Sequence, residues 1–337
     1  MLRPRVKLVL EKDGVEVVDE DLALILELVD ARGSILAASR EAGIPYSRAW
    51  EKIVRAERIL GHRLVETRRG GKRGGGARLT SQARQVLAEY KRASRMLGVG
   101  PRQPGRHQAH GVFVAYSSDP LLEMALNRAP GVEGACIGSS RSLAMLSLGE
   151  ADVACIHLYD PNTGLYNKPY LEHYQVEEPL KIGGYLRELV LAYNPRRPVR
   201  SVREAIQLVV EGKLSMASRP PGAGTRLYQK ILAKQVLGNE PTGWPDKYTK
   251  VIGWTHEDTA RSIAKGEADI TITLRYTADK YKIPYIHLSW EKYECYTTTT
   301  HNKRVEELAN ILNSQWFTTL LQTTPGYKPQ QNKQPDK

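Results

Sequence analysis

Cysteine is scarce in this chain of 337 residues: Cys136, Cys155 and Cys295 are all it has. An odd number at such wide spacing points to neither a disulfide framework nor a zinc site. Each lies in an apolar stretch and reads as a small buried hydrophobe. No run approaches the roughly 18 apolar residues of a membrane span, and the opening MLRPRVKLVLEKDG lacks the apolar core of a secretory signal. The expectation is a cytoplasmic protein with no membrane partner. Also missing are a Ser-His-Asp spacing, a metal-ligand cluster and a cofactor fingerprint, and the 8 histidines are scattered. The sequence therefore predicts no catalytic residue, no metal, no cofactor and no enzyme. His107 and His110 lack a third ligand nearby. His157 ends a strand and reads as packing or ligand hydrogen bonding rather than catalysis.

What is present is positive charge, concentrated at one end. Residues 1–110 hold 22 Lys/Arg against 13 Asp/Glu, whereas the whole chain carries +12. Such asymmetry suggests a polyanion partner for that end alone. The length allows two or three domains, and 41% hydrophobic residues is enough for real cores.

Along the chain, Val6 to Val18 reads as a hairpin about Asp13-Gly14. A helix from Asp19 ends at Gly33, and Ser34 caps a short helix that Gly43 ends. Pro45 fixes a turn and a third helix runs to about Leu60. Helix, Gly-containing turn, helix is a DNA-reading pattern. Its second helix would set Tyr46, Ser47 and Arg48 against base edges, with Lys52 and Arg55 on the same face. Trp50 reads as an aromatic wedged between the helices, with a base contact as the alternative. His62 to Thr67 and Ala77 to Leu79 predict a wing. Its tip carries Arg68, Arg69, Lys72 and Arg73, followed by Arg78, among five glycines, a composition suited to phosphate contacts. Thr80 caps a helix to Leu97 whose Ala83, Val86, Leu87, Tyr90 and Met96 suggest a dimer seam.

Three stretches here, GSI-x-AA, Gly-Ile-x-Tyr-Ser-x-Ala-Trp and GGKRGGGARLT, resemble the N-terminal winged helix of ModE-type molybdate-responsive regulators, distant relatives of the LysR type. The resemblance covers roughly residues 20–97. It implies operator binding on double-stranded DNA and a homodimer joined through helical arms.

Residues 98–110 read as a Gly/Pro-rich linker, and strands alternate with helices thereafter. Strands are predicted at Val112–Tyr116, Gly134–Gly138, Asp152–Leu158, Tyr185–Tyr193, Leu214–Ser218 and Asp269–Leu274, and a last helix at Lys303–Thr318. No element is predicted between 275 and 302. This is an α/β pattern with ligands at the carboxyl ends of strands. Hydroxyl residues recur in the strand-to-helix turns: Ser117 and Ser118, Ser139 and Ser140, then Ser218 with Thr225. Helix amino ends attract anions and hydroxyls add neutral donors, although ordinary capping explains any one such turn. Arg219 offers a full counter-charge, and the Gly222–Arg226 turn lacks the Lys-Ser/Thr ending of a P-loop. Asp119 reads as the cap of the helix opened by Pro120.

Several segments of this half, namely Gly138-Ser139, the run from Gly149 to Leu158, Asp160-Pro-x-Thr-Gly-x-Tyr166-Asn167, Arg187-Glu-Leu-Val-Leu, Ser218-Arg219 with Gly222 to Arg226, and Gly266 to Asp269, are similar to a periplasmic-binding-protein-like domain. The Ser-Arg…Gly-Thr turn resembles that of tungstate-binding proteins. The implied fold is multidomain: a mostly α winged helix-turn-helix over 1–97, then a two-lobed type II α/β domain over 111–324 and a disordered tail over 325–337. The implied ligand is molybdate or tungstate, held by Ser117 or Ser118, Ser139, Ser140, Arg219, Thr225 and Arg226. The small oxyanion-binding barrels of ModE itself are missing from the second half, so ligand identity does not follow from that family. A regulator sensing a molybdopterin-related compound, a cytoplasmic solute-binding protein and an architectural DNA binder stay open as alternatives.

Overall fold

The computed structural model describes residues 7–68, 76–99, 111–298 and 303–330. These fall into two compact units. The first is the chain up to Val114 with Gly131–Ala135 and Ala144–Asp152, and the second is the remainder. The expected boundary at residue 111 is thus crossed: parts of the first two strand–helix repeats cluster with the amino-terminal helices.

In the first unit, β1 (Leu10–Lys12) and β2 (Val15–Val18) form the expected hairpin. Asp13 and Gly14 both take the positive φ its turn requires. Asp19 caps α1 (Glu20–Arg32) by accepting from Leu22 N at 2.9 Å. Ser34 caps α2 (Ile35–Ala42) through Ala37 N at 3.1 Å, and α3 (Tyr46–Leu60) follows a turn through Gly43. The wing is β3 (Val65–Arg68) with β4 (Gly76–Leu79). Its base docks on the α1–α2 turn, where Ala77 N donates to Gly33 O at 2.6 Å. Thr80 caps α4 (Ser81–Met96). Leu22, Ile25, Leu26, Val29, Ile35, Ile53, Leu64 and Leu79 are fully buried, each contributing about 1.5–3 kcal/mol through burial.

The alternating half comprises β5 (Val112–Tyr116), α5 (Pro120–Leu126), β6 (Val132–Cys136), α6 (Ser139–Ser147) and β7 (Val153–Ile156), followed by the small hairpin of β8 (Tyr159–Asp160) and β9 (Leu165–Tyr166). Then come α7 (Lys168–His173), β10 (Leu180–Tyr193), α8 (Val202–Val210), β11 (Met216–Ser218), α9 (Gly224–Leu237), β12 (Thr249–Ile252), α10 (His256–Ala264), β13 (Ile270–Leu274), α11 (Arg275–Lys280) and β14 (Tyr285–Thr297). The chain ends with α12 (Lys303–Leu312), α13 (Gln315–Thr323) and β15 (Tyr327–Pro329). In the second unit the sheet order is β12-β11-β13-β10-β14-β7 with β15 beside β10. β5 and β6, whose residues divide between the units, continue the path. The two long strands β10 and β14 are antiparallel partners over almost their whole length and connect both halves of this sheet. One core packs Val190, Ala192, Ala217, Ile263, Ala268 and Ile283.

Five expectations need correcting. β10 starts at Leu180 rather than Tyr185, and β14 lies where nothing was predicted. The single last helix is two, α12 and α13, broken at Asn313–Ser314 where Ser314 caps α13. The expected disordered tail begins with a strand: β15 pairs with β10, and Tyr327 is buried. The fifth concerns cysteine. Cys155 and Cys295 are register partners on β7 and β14 and form a disulfide, while Cys136 is exposed rather than buried. A separation of 140 residues carries no pairing information until both strands are placed. Residues 100–110 of the linker lie outside the described residues, as do His107 and His110.

Candidate functional site

Three turns of the second unit meet around buried polar groups. Ser117 and Ser118 follow β5, Ser139 opens α6 after β6, and Arg219 follows β11 ahead of Thr225 on α9; all five are buried. The closeness of the turns has a backbone cause. Ser140 N donates to Gly222 O at 3.2 Å. A Cβ at Gly138 would stand 3.0 Å from that same oxygen, and Gly138 has φ +86°. A Cβ on Gly224 would stand 2.7 Å from the His157 ring. Glycine at both positions lets the turns touch.

The cationic centre is Arg187 on β10, fully buried. Its Nε donates to Glu291 Oε1 at 2.5 Å, from the register partner on β14. Its Nη1 donates to Ser118 O at 2.9 Å and to Asp119 Oδ2 at 3.0 Å, and the guanidinium lies 4.4 Å over the Tyr293 ring. Burial works against this cation, but Glu291 and Asp119 outweigh it and raise its pKa. Its Nη2 is buried without a partner. Asp119 caps α5 through Leu121 N and Leu122 N, and also accepts from the Tyr185 and Tyr327 hydroxyls. An acid beside the turn is therefore already compensated.

His157 is held on three sides. Nε2 lies 2.9 Å from Ser117 Oγ, Nδ1 lies 2.9 Å from Glu291 Oε2, and its backbone N donates to Ser139 Oγ at 3.2 Å. Burial lowers its pKa against the opposing pull of Glu291. Burial alone would push the Glu291 carboxyl up, yet Arg187 and His157 hold it below the usual range. Ser117 is thus taken up by His157, and it is Ser118 that faces the Cys136 thiol.

Arg219 is the outlier. It is 2% exposed. Nη2 donates to Trp254 O at 2.6 Å, and Nε is buried without a partner. Burial pushes its pKa down to about 10, and Arg187 adds repulsion. Beyond it, Thr225 Oγ1 lies 3.5 Å from His256 Nε2. The pKa of His256 is held well below its ordinary value by burial and then by Arg219 and Arg187. Two guanidiniums with one unpartnered nitrogen each, two imidazoles whose pKa burial lowers and the Ser118, Ser139 and Thr225 hydroxyls share one interior. A buried cation is costly without a counter-charge. Arg226 is placed differently from the expectation: it donates to Ser218 Oγ at 3.2 Å and Arg219 O at 2.7 Å and pairs with Asp246, so it braces the turn. Ser140 is partly exposed and joins the site through its backbone.

In the first unit Ser47, Arg48 and Arg55 are exposed on α3. Tyr46 is not. It is 5% exposed, its ring centroid lies 4.1 Å from that of Phe113, and its N donates to Glu133 Oε2 at 3.0 Å. Lys52 is drawn onto the amino end of α1 by Asp19 and Asp21. Trp50 reverses its expectation: at 39% exposed it stands on the surface beside Ser47. Helical phase explains these outcomes, because Tyr46, Ala49, Ile53 and Ala56 share the buried stripe of α3 and Trp50 falls outside it. Arg78 bonds Glu66 across the wing at 2.7 Å. The Arg68 side chain, and Arg69, Lys72 and Arg73 altogether, lie outside the described residues. The dimer-seam residues Ala83, Leu87 and Tyr90 are buried within the unit, while Met96 is 81% exposed.

Sequence reasoning missed Arg187 as a site residue and Glu291 altogether. The charged pair Arg187-Glu188 directly before the apolar run Leu189–Ala192 was the available signal for the first. Nothing marked the second while β14 was unplaced. Among the described residues no group of three or more His, Cys, Asp or Glu side chains could hold a metal ion, and no helix is long and apolar enough to cross a membrane.

Residues 124–313 match a family model described as a PBP superfamily domain. YvgK of Bacillus subtilis is 27% identical over 197 residues, 57% of this chain and 61% of that protein. The molybdenum-pterin-binding protein MopB of Rhodobacter capsulatus is 39% identical over 82 residues, 24% of this chain and 30% of the relative. The DNA-binding transcriptional dual regulator ModE of Escherichia coli is 38% identical over 66 residues, 20% and 25% of the respective chains. The chain therefore spans less than two thirds of the length of these curated relatives.

Proposed function

The chain belongs to the PBP superfamily, and from that premise we propose that its second unit binds a small tetrahedral oxyanion of the molybdate or tungstate class. The first unit then binds double-stranded DNA under that ligand's control, as a cytoplasmic homodimer. One observation carries the ligand reading: Arg219 is a buried guanidinium with an unused N–H and no carboxylate among its hydrogen-bond partners. A guanidinium keeps its proton at any physiological pH, and no carboxylate bonds this one directly, so an anion can take the unused N–H. The unpartnered Nη2 of Arg187 and the Ser118, Ser139 and Thr225 hydroxyls suit a compact dianion with four acceptor oxygens better than a carboxylate with two. MopB and ModE, as their names state, bind molybdenum-pterin and DNA respectively, and both belong in this chemistry.

Thermal unfolding with tungstate, molybdate, sulfate and phosphate tests the ligand. A specific oxyanion at a hundred times its Kd adds about 2.7 kcal/mol to stability. No shift with any of the four would remove the oxyanion reading. Band shifts with the DNA upstream of the protein's own coding region, against random duplex at several salt concentrations, test the rest. Equal affinity for both leaves an architectural DNA binder instead of a regulator.

A further inference from the structure

The two helices of the helix-turn-helix have their amino ends occupied by acids from far along the chain. Glu150, only 2% exposed, accepts from Ile35 N at 3.0 Å and from Leu36 N at 2.9 Å, the first two amides of α2. Glu133 Oε2 accepts from Tyr46 N at 3.0 Å, the first amide of α3. That end of α3 has no cap of its own, since Pro45 precedes it and no local side chain bonds it. A third acid, Asp152, takes Arg40 of α2 through both carboxylate oxygens, at 2.8 and 2.6 Å. All of these residues lie in the first unit.

When a helix-turn-helix meets a duplex, its first helix crosses the backbone and its second enters the major groove by its amino end. Free amides at helix amino ends are standard phosphate donors. A carboxylate and a phosphate need the same N–H groups and repel each other, so they cannot share them. We propose that Glu133 and Glu150 form an acidic latch, standing where DNA phosphates would stand and holding the reader out of contact with DNA. The proposal rests on the reading of α2 and α3 as a DNA reader.

The latch is built into the oxyanion site by chain continuity. Glu133 lies on β6 and Glu150 three residues beyond α6, and the turn between those two elements carries Ser139. An oxyanion held by Ser139 therefore binds the turn of the same strand–helix repeat whose two outer ends carry the acids.

The test measures affinity of the full chain for a random-sequence duplex, where phosphate contacts supply essentially all the binding. Three variants are compared with the parent: Glu133→Ala, the pair Glu133→Gln with Glu150→Gln, and Glu16→Gln. The last removes one exposed acid elsewhere in the unit and measures the effect of one unit of net charge, counted twice for the pair. Glu133→Ala should bind on the order of tenfold tighter than this control, the scale of a charge-assisted hydrogen bond. The paired variant keeps acceptors for the amides, so it should melt near the parent and still bind tighter than the control. Tungstate should shift the affinity of the parent and leave that of the paired variant unchanged. Variants no tighter than Glu16→Gln overturn the latch, and a chain that binds no duplex overturns both the latch and the DNA reading. A parent indifferent to tungstate, with tighter variants, keeps the latch and refutes the ligand reading.

Discussion

Arg219 and His256 test the account at single residues. Removing Arg219 takes away a buried charge that no carboxylate hydrogen-bonds and that burial disfavours. Arg219→Ala should therefore melt no lower than the parent without ligand, while losing the whole stabilisation that tungstate gives the parent. Melting curves with and without tungstate decide it, and a variant that still gains stability from the anion shows that Arg219 is not a ligand group. The His256 prediction concerns pH. Its pKa in the fold lies well below the ordinary 6.5, so below about pH 6.5 the unfolded chain takes up a proton that the folded chain refuses. Stability from this group is fully present above that pH and falls as pH drops, by up to about 1.4 kcal/mol per unit. Urea unfolding at a series of pH values should show a shallower acid slope for His256→Gln than for the parent, and equal slopes would argue against a neutral buried imidazole. The serines of the three turns were legible because strand-to-helix turns leave a pattern of Ser, Asp and Pro. Arg187 was legible only as an oddity in an apolar strand, and Glu291 not at all, because its meaning depends on the register between β10 and β14.

At the scale of elements, α3 divides into a buried stripe and an exposed face, and the proposed DNA contacts fall on the exposed face. Arg48→Ala, on the exposed face, should flatten the preference for specific over random DNA by about 1–3 kcal/mol. Lys52→Ala should instead lower thermal stability, by up to about 1 kcal/mol, because Lys52 tethers α3 to the amino end of α1. Competition binding together with melting separates the two, and a reversed pattern would reassign the readers. Helix periodicity placed α1 to α4 well because it is bounded by caps written in the sequence, Asp19, Ser34 and Thr80, and by the αL glycines Gly33, Gly43 and Gly61. β14 escaped because it carries Glu291 and Glu294 on opposite faces among aromatic and hydroxyl residues, which breaks the apolar alternation that marks a strand. The Cys155–Cys295 bond escaped with it. In the turns, Gly224→Ala should press on the His157 ring and weaken oxyanion binding more than it weakens the fold. Tungstate affinity against melting temperature checks this, and a variant that binds tungstate as the parent does would place His157 outside the site.

For the whole molecule, two properties that the sequence separates meet in one chain: a basic helix-turn-helix and a domain of the PBP superfamily. Coupling between them is a free energy, and it is reciprocal: if tungstate changes the affinity for DNA, DNA changes the affinity for tungstate by the same factor. That reciprocity can be measured from either side. The central claim, however, is narrower and lies in the buried arginines, since every later step needs the anion to bind. Isothermal titration of tungstate into the full chain, beside Arg219→Ala, addresses it most directly. The account predicts saturable binding at one anion per chain in the parent and none in the variant. Equal binding by both proteins, or no binding by either, would contradict it.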